Sequence, residues 1–354
     1  WLSAVFAVIM TVIVSVFCRE ILILMQTPAD IIDDAYAYIF IIFVGIPVTY
    51  LYNLTSGIIR SLGDSKTPVY FLLMASALNI VLDILFITQF DSGVAGAAYA
   101  TVISQLVSGI ACLIFMAKKF PILRLERDDL RPRKPCMMTL CSMGVPMGLQ
   151  YSITAIGSVI LQAAVNGLGS AAVASMTAAS RLSMFVVCPF DALGSTMATY
   201  GGQNVGARKL PRIKAGLKSA TILGGVYSVF ALLLLLVAGN LLLQLFLSAN
   251  ETAIMADARM FLIIQAVFYF PLALVNIVRF LIQGIGFPFL AILAGVMEMI
   301  ARTLAAIFLV PAFGFLGSAF ASPIAWIMAD AFLIPAFFYV YKKLSRQMGT
   351  DFEN

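Results

Sequence analysis

Long apolar runs follow one another along almost the whole chain, separated by short polar gaps that often contain Gly or Pro. A run of about 20 apolar residues spans a bilayer as a helix, because a helix satisfies its backbone hydrogen bonds internally. Charged residues make up only 11% of the chain, too few to cover a water-soluble surface. The sequence therefore predicts an all-α polytopic membrane protein of ten transmembrane helices. The predicted spans are 1–25, 36–60, 68–90, 94–118, 138–165, 170–200, 219–247, 258–282, 288–310 and 317–341.

Seventeen of the 22 basic residues lie in alternate gaps between these runs or in the tail, and the intervening gaps hold none. They are Arg60, Lys66, Lys118, Lys119, Arg124, Arg127, Arg131, Arg133, Lys134, Arg208, Lys209, Arg212, Lys214, Lys218, Lys342, Lys343 and Arg346. The positive-inside rule places this set and the C-terminus in the cytoplasm, as expected for a multi-pass protein of the inner (plasma) membrane. Because the net charge of +5 is confined to one side of the membrane, it does not indicate a nucleic-acid partner.

The composition also argues against several catalytic chemistries. The chain has no histidine, which excludes a Ser-His-Asp triad and the usual His-containing zinc sites. Its five cysteines form no CxxC pair and are predicted to be buried small apolar residues. They are Cys18, Cys112, Cys136, Cys141 and Cys188. We expect neither an enzyme nor a cofactor apart from a coupling ion.

The two halves of the chain look like copies, with matched segments about 220 residues apart. The matches are Asn53–Gly63 with Asn276–Gly286, Pro68 with Pro288, Gly93–Ala100 with Gly314–Ala321, and Lys118–Lys119 with Lys342–Lys343. Six predicted helices separate the copies, so both have the same orientation in the membrane. This pattern predicts a parallel repeat about an axis along the membrane normal.

A charged linker divides the chain unequally, with four helices before it and six after it. We predict an N-terminal lobe over 1–119, a cytoplasmic linker over 120–137, a C-terminal lobe over 138–343 and a cytoplasmic tail over 344–354. The first copy has no counterpart of the first two helices of the second lobe. We therefore expect that a parent protein has two more helices before Trp1, and that this chain alone does not transport.

Asn79, Asp83 and Thr101 form the strongest candidate site. Asn79 and Asp83 are four residues apart, on one face of a helix. Asp83 and Thr101 are equally distant from the turn at Asp91-Ser92-Gly93, so they lie at similar depth in a hairpin, about 13 Å from the turn at 1.5 Å per residue. Oxygen ligands of this kind suit a hard monovalent cation or an exchangeable proton. The alternative is that Asn79 only satisfies a buried Asp83 and joins the two helices.

Other ionisable residues at bilayer depth are secondary candidates, because a charge there is costly unless it is paired or hydrated. Glu298 and Arg302 are spaced i,i+4 and are expected to form an internal ion pair. Asp330 is predicted at a similar height, where it shares a proton with Glu298 or flanks Arg302. Arg181 lies near mid-membrane and pairs with an acid or meets an anion, whereas Asp191 follows Pro189 and caps a half-helix after a kink.

Several linked motifs closely resemble the multidrug and toxic compound extrusion (MATE) family of transporters. They include IIRSLGDSKTPVYF, ALNIVLDILF, GVAGAAYATVISQ, VNGLGSAAVAS, GGQNVGARKLPR and GVMEMIARTL. The resemblance covers essentially the whole chain and starts at the third helix of the family pattern. It implies a twelve-helix fold of two lobes that alternate in access and exchange Na⁺ or H⁺ for organic, mostly cationic, compounds.

The resemblance also implies a cation site in the N-terminal lobe. The family's asparagine and aspartate on helix 5 and threonine on helix 6 match Asn79, Asp83 and Thr101, while its helix 1 aspartate has no position here. Some members use acidic residues on helices 7 and 10 instead. The predicted helix over 138–165, which corresponds to helix 7 of the family, carries Gln150 and Gln162 at its polar positions. This disfavours the second arrangement.

The function predicted from the sequence is therefore multidrug efflux by cation antiport, in a monomer surrounded by membrane lipid. The alternative within the same superfamily is a lipid-linked oligosaccharide flippase, which favours basic residues along its cavity and is kept open by Arg181 and Arg302. A channel or a membrane-embedded enzyme fits less well, because a repeat with one buried acidic site suits alternating access.

Overall fold

The computed structural model of the protein describes residues 1–24, 27–28, 30–123, 131–248 and 251–349. Within these ranges, seven helices are long and apolar enough to cross a membrane, and three bent helix pairs bring the number of spans to ten. The prediction of an all-α polytopic membrane protein is confirmed for the described residues, and the predicted ten spans are reached if each bent pair is one span. Arg124, Arg127 and the tail residues 350–354 lie outside the described residues.

The chain divides into two compact units, residues 1–137 and 138–354. The helices of the first unit are α1 (Leu2–Val16), α2 (Cys18–Leu24), α3 (Ile32–Val44), α4 (Ile46–Ser61), α5 (Lys66–Thr88) and α6 (Gly93–Lys119). A short 3₁₀ turn over Pro121–Leu123 follows α6.

The second unit contains the remaining helices. They are α7 (Lys134–Asn166), α8 (Ser170–Gly206), α9 (Leu210–Leu243), α10 (Thr252–Val267), α11 (Tyr269–Gly284), α12 (Pro288–Leu304), α13 (Val310–Phe313) and α14 (Phe315–Met348), with a π-helical turn over Ala305–Leu309. Helix α7 begins four residues inside the predicted linker, and α14 continues past residue 343 into the predicted tail.

Three predicted spans are bent, where the sequence indicated single helices. The bends measure 62° between α1 and α2, 44° between α3 and α4, and 54° between α10 and α11. At Gly45, between α3 and α4, an added Cβ atom would lie 2.6 Å from Val102 on α6. Glycine therefore allows α6 to approach the break closely, and Pro47 is tolerated in the first turn of α4.

The two copies of the sequence repeat have the same helix pairing. In the first unit, α6 packs against α3, α4 and α5, while α1 packs against α3 and α4. In the second unit, α14 packs against α10, α11 and α12, while α9 packs against α10 and α11. Gly63 and Gly286 both have positive φ angles, +92° and +99°, as do Gly93 and Gly314, +54° and +59°. The sequence repeat is thus also a repeat of structure.

Small residues bring α8 and α11 into close contact in the second unit. A Cβ atom added to Gly284 on α11 would lie 2.2 Å from the backbone oxygen of Ala198 on α8. Where no hydrophobic effect drives helices together, such close backbone approach supplies the packing energy. The same two helices carry polar side chains of the site described below.

In each copy of the repeat, a lysine in the C-terminal part of the last helix, α6 or α14, contacts the junction that precedes α5 or α12. Lys119 forms a 3.1 Å ion pair with Asp64 and also lies over the rings of Phe115 and Phe120. In the second copy, Lys343 lies 5.3 Å from the ring centre of Phe287, the residue at the position of Asp64 after the matched glycine.

Asp64 is the one acid of this junction, and it lies outside the membrane-spanning helices. The backbone N–H and the hydroxyl of Thr67 both donate to its carboxylate, at 3.0 and 2.8 Å. These hydrogen bonds, with the ion pair to Lys119, lower the pKa of Asp64 from 3.8 to about 2. The carboxylate thus fixes the start of α5 to the end of α6.

Candidate functional site

The first unit brings together two of the three residues predicted to bind a cation. The Asn79 amide on α5 donates to the Thr101 hydroxyl oxygen on α6 at 3.5 Å. The Thr101 hydroxyl in turn donates to the backbone oxygen of Ala97 at 3.0 Å. All three predicted side chains are half-buried. The hairpin therefore brings Asn79 against Thr101, one helical turn from the pairing of Asp83 with Thr101 that counting from the turn predicted.

Asp83 lies one helical turn from Asn79 on α5. Its Oδ1 atom is shielded from solvent and has no hydrogen-bond partner among the described residues. A buried carboxylate oxygen without a partner is costly, so it marks a place where a cation or a proton would be stabilised. The proposal that Asn79 only satisfies Asp83 does not account for this atom, because the Asn79 amide donates to Thr101.

A second polar contact lies one turn further along α6 and was not singled out from the sequence. The Thr49 hydroxyl on α4 donates to the Gln105 side-chain oxygen at 2.6 Å. Gln105 is four residues from Thr101, on the same face of α6. The signal in the sequence was the i,i+4 spacing of two polar residues within an apolar helix.

The second unit holds a buried ionic cluster centred on Glu298 of α12. Arg302, one turn later, lies 3.3 Å from one carboxylate oxygen, and Arg279 of α11 pairs with the other. Arg302 also donates to the backbone oxygen of Thr154 on α7 at 3.2 Å. These three charged side chains are at most 9% exposed. The predicted Glu298–Arg302 pair is thus present, within a larger cluster.

Arg279 is the member of this cluster that the sequence analysis missed. The signal was an arginine inside an apolar run, which by itself marks a candidate site. Its position also corrects the expectation for Asp330, which we predicted to share a proton with Glu298 or flank Arg302. The buried Asp330 interacts electrostatically with Arg279 instead. The spacing rule carried no information about the side of α14 that Asp330 occupies.

Asp191 does not have the predicted capping role. Helix α8 continues without interruption from Ser170 to Gly206 through Pro189, so no half-helix begins near Asp191. The Asn276 amide on α11 donates to Asp191 at 3.1 Å instead. About two turns further along α11, the Gln283 amide donates to Gln150 on α7 at 3.1 Å, and both side chains are buried. Asp191 thus belongs to a polar contact between α8 and α11.

Arg181 takes no part in this arrangement. Its side chain is exposed on α8, and no ion pair with an acid is found for it in the part of the chain that the structure describes. The expected pairing with an acid is therefore wrong for the described residues.

A cavity of about 340 Å³ opens beside the ionic cluster of the second unit. Its polar wall comes from four helices. The polar lining residues are Gln150, Tyr151, Thr154, Asp191, Asn276, Arg279, Glu298 and Arg302. The apolar wall includes Phe280 and Trp326. Charge of both signs, amide groups and aromatic rings in one concave space are suited to binding a small polar organic molecule.

The MatE family model matches residues 1–85 and 146–310 of the chain. The chain is 31% identical over 274 residues to the probable multidrug resistance protein YpnP of Bacillus subtilis (strain 168), a match that covers 76% of the chain and 59% of YpnP. It is 29% identical over 256 residues to the probable multidrug resistance protein YoeA of the same strain, covering 70% of the chain and 55% of YoeA. The chain thus matches just over half the length of these relatives.

Solved structures share the fold at lower sequence identity. A MATE protein crystallised in a bent conformation superposes with a TM-score of 0.90 at 20% identity, over 99% of the chain and 78% of that protein. An outward-facing MATE family multidrug resistance transporter superposes with a TM-score of 0.89 at 20% identity, over 97% of the chain and 77% of that protein.

Proposed function

Because the chain belongs to the MatE family, we propose that it is a transporter that exports small organic compounds, mostly cationic, in exchange for Na⁺ or H⁺. The proposal draws on relatives that are named as probable multidrug resistance proteins. The single observation that carries the coupling part is the buried, unpartnered oxygen of Asp83 beside the Asn79–Thr101 contact. No cofactor other than the coupling ion is proposed.

The coupling step follows from the chemistry of that cluster. In one state of the transporter, the Asp83 carboxylate, the Asn79 amide oxygen and the Thr101 hydroxyl bind Na⁺, or Asp83 alone binds a proton. Because the ion binds one access state more tightly than the other, it shifts the equilibrium between them. Ion binding and substrate binding are then linked by the same coupling free energy, whichever binds first.

The distribution of basic residues gives the proposed orientation. The junctions that hold Lys119 and Lys343 face the cytoplasm, with the C-terminus on the same side. We propose the inner (plasma) membrane as the location, membrane lipid as the surroundings and a monomer as the working form.

Export is favoured over lipid-linked oligosaccharide flipping by the charges around the cavity of the second unit. Flipping an anionic lipid-linked sugar favours a wall with excess positive charge. Arg279 and Arg302 do line this cavity, but both pair with Glu298, and Asp191 adds a further negative charge. Arg181, which with Arg302 had kept the flippase alternative open, is not among the lining residues.

Replacement of Asp83 by Asn tests the coupling step. Asp83→Asn keeps the side-chain volume and removes the charge. In proteoliposomes of an export-competent version of the protein, it should abolish export driven by an ion gradient. Asn79→Ala and Thr101→Ala should weaken coupling less, because each removes one neutral ligand. The matched control is Asp91→Asn, an exposed acid of the same hairpin, which should export at the wild-type rate.

Folding and insertion of Asp83→Asn are checked by its yield and its elution as a single species after purification. Gradient-driven export by a well-folded Asp83→Asn protein at the wild-type rate would show that the cluster only joins α5 to α6.

A further inference from the structure

Apart from the Arg279 and Glu298 atoms that form an ion pair with each other, two polar atoms in the cavity wall of the second unit are unsatisfied among the described residues. Neither the Arg279 Nε atom nor the Thr154 hydroxyl has a hydrogen-bond partner within the described ranges, and both atoms are shielded from solvent. The Arg279 side chain is only 7% exposed. Both groups are hydrogen-bond donors, and a buried donor that remains unpaired is costly. The wall is therefore suited to a ligand that brings an oxygen acceptor.

The charges show that this acceptor need not be an anion. Among the buried groups, the positive charges of Arg279 and Arg302 are formally balanced by Glu298 and Asp330. A ligand carboxylate at Arg279 would compete with Glu298 and add an uncompensated negative charge to a low-dielectric region. A neutral carbonyl or ether oxygen accepts from the Arg279 N–H group without this penalty.

Asp191 supplies a place for a positive charge in the same cavity. Its side chain is exposed, so it is not part of the buried balance, and Asn276 donates to only one of its oxygens. The rings of Tyr151 and Trp326 line the cavity as well, and aromatic faces attract organic cations. The cavity volume of about 340 Å³ fits a molecule at the small end of the drug-like range.

We propose that this cavity binds an organic monocation that also carries a neutral oxygen acceptor. Asp191 and the aromatic rings hold the cationic end, while Arg279 Nε and the Thr154 hydroxyl donate to the oxygen. Arg279 is then a specificity-determining residue, which selects oxygen-bearing cations from purely hydrocarbon ones. The inference rests on the proposed function only in assuming that the chain binds organic cations, and it concerns binding and not coupling.

Two probes of the same length separate this proposal from simple cation binding. Benzoylcholine carries an ester between its ring and its quaternary nitrogen. In (4-phenylbutyl)trimethylammonium, CH2 groups take the places of the ester carbonyl and the ester oxygen, so the chain has the same length and no oxygen. Trp326 lines the cavity and reports binding by fluorescence once Trp1 is replaced by Phe. In the purified full chain with that replacement, benzoylcholine should bind at least about tenfold more tightly, because it satisfies donors that the hydrocarbon probe leaves unpaired.

Variants of the wall assign this preference to named atoms. Arg279→Lys keeps the charge that Glu298 needs but removes Nε, and Thr154→Val removes only the hydroxyl, so each should reduce the ratio of the two affinities. Asp191→Asn should weaken both probes equally. Ser152→Ala, an exposed hydroxyl on the same helix as Thr154, is the matched control and should change neither affinity.

Equal affinities for the two probes in the unmodified wall would overturn the proposal, because the ligand oxygen would then gain nothing from the two donors. An unchanged ratio of the two probe affinities in both Thr154→Val and Arg279→Lys would also overturn it. Thr154→Val is isosteric and is expected to fold. The proposed function is tested separately. A protein that shows the probe preference but no export driven by an ion gradient would contradict the proposed function and leave this inference standing.

Discussion

Glu298 is the residue whose replacement should most strongly destabilise the second unit. Its carboxylate is the shared partner of Arg279 and Arg302, and its side chain is 3% exposed. Glu298→Gln keeps the volume and one hydrogen-bond acceptor but removes the negative charge. Two guanidinium groups then remain buried, with Asp330 near only one of them.

The expected cost follows from the burial of those partners. Removing one member of a buried ion pair costs about 3–5 kcal/mol, because the other charge is left uncompensated in a low-dielectric region. Arg302 keeps its hydrogen bond to the backbone oxygen of Thr154, which lessens the cost for that side chain. Arg279 keeps its interaction with Asp330. We therefore expect a loss near the lower end, about 3 kcal/mol in the free energy of unfolding.

Unfolding by SDS titration in mixed micelles, followed by Trp326 fluorescence, measures this change. The charge-matched control is Glu251→Gln, an exposed acid before α10 in the same unit, which should lie within about 0.5 kcal/mol of the wild type. Arg302→Gln added to Glu298→Gln should cost less than the sum of the two single changes, since the pair contributes once.

A loss for Glu298→Gln no greater than that for Glu251→Gln would refute this reasoning. It would mean that the two arginines are hydrated or neutralised by other groups in solution. Strict additivity of Glu298→Gln and Arg302→Gln would refute the narrower claim that these two side chains interact.

The contact between α8 and α11 and the junction at Asp64 give two further predictions. Gly284→Ala should cost about 1–3 kcal/mol of unfolding free energy in the same titration, because its Cβ atom would meet the Ala198 backbone oxygen. Gly239→Ala is the control, since its Cβ atom would meet nothing within 4 Å, and it should be neutral or stabilising. Equal costs for the two variants would contradict the close approach of α8 and α11. The pKa of Asp64 is lowered from 3.8 to about 2, so its contribution to stability is present above pH 3.8 and is lost as the pH falls through about 2. The apparent Tm of Asp64→Asn should therefore fall less than that of the wild type between these pH values. Identical pH profiles of the two proteins would contradict this prediction.

Helix positions could be predicted from the sequence because the spans depend on local composition. Apolar runs of sufficient length have one stable form in a bilayer, so all ten spans were located. The bend at Gly45 could not be predicted in the same way, because it depends on Val102 of another helix packing against the break. Helix α8 also continues through Pro189, where local rules indicated a break.

The candidate sites were predictable only as far as one hairpin determines them. Asp83 and Thr101 lie on two helices joined by a tight turn, so counting from the turn placed these two at one height. The structure shows Asn79, one helical turn from Asp83, in contact with Thr101 instead. The acids of the second unit pair across helices that are distant in sequence. Counting gave no means of choosing Arg279 as the partner of Glu298 and Asp330, because side-chain direction around a helix matters as much as height.

The lysines at the two junctions show how duplicated halves can diverge without losing a contact. Lys119 touches both a carboxylate and aromatic rings, since it contacts Asp64, Phe115 and Phe120 together. A lysine that already has both kinds of partner tolerates the loss of either one during evolution. In the copy with Lys343, the position of the acid is occupied by Phe287, and the lysine lies over its ring. The lysine therefore has an attractive contact with either residue at this position, an aspartate or a phenylalanine. Selection for stability does not require one of the two.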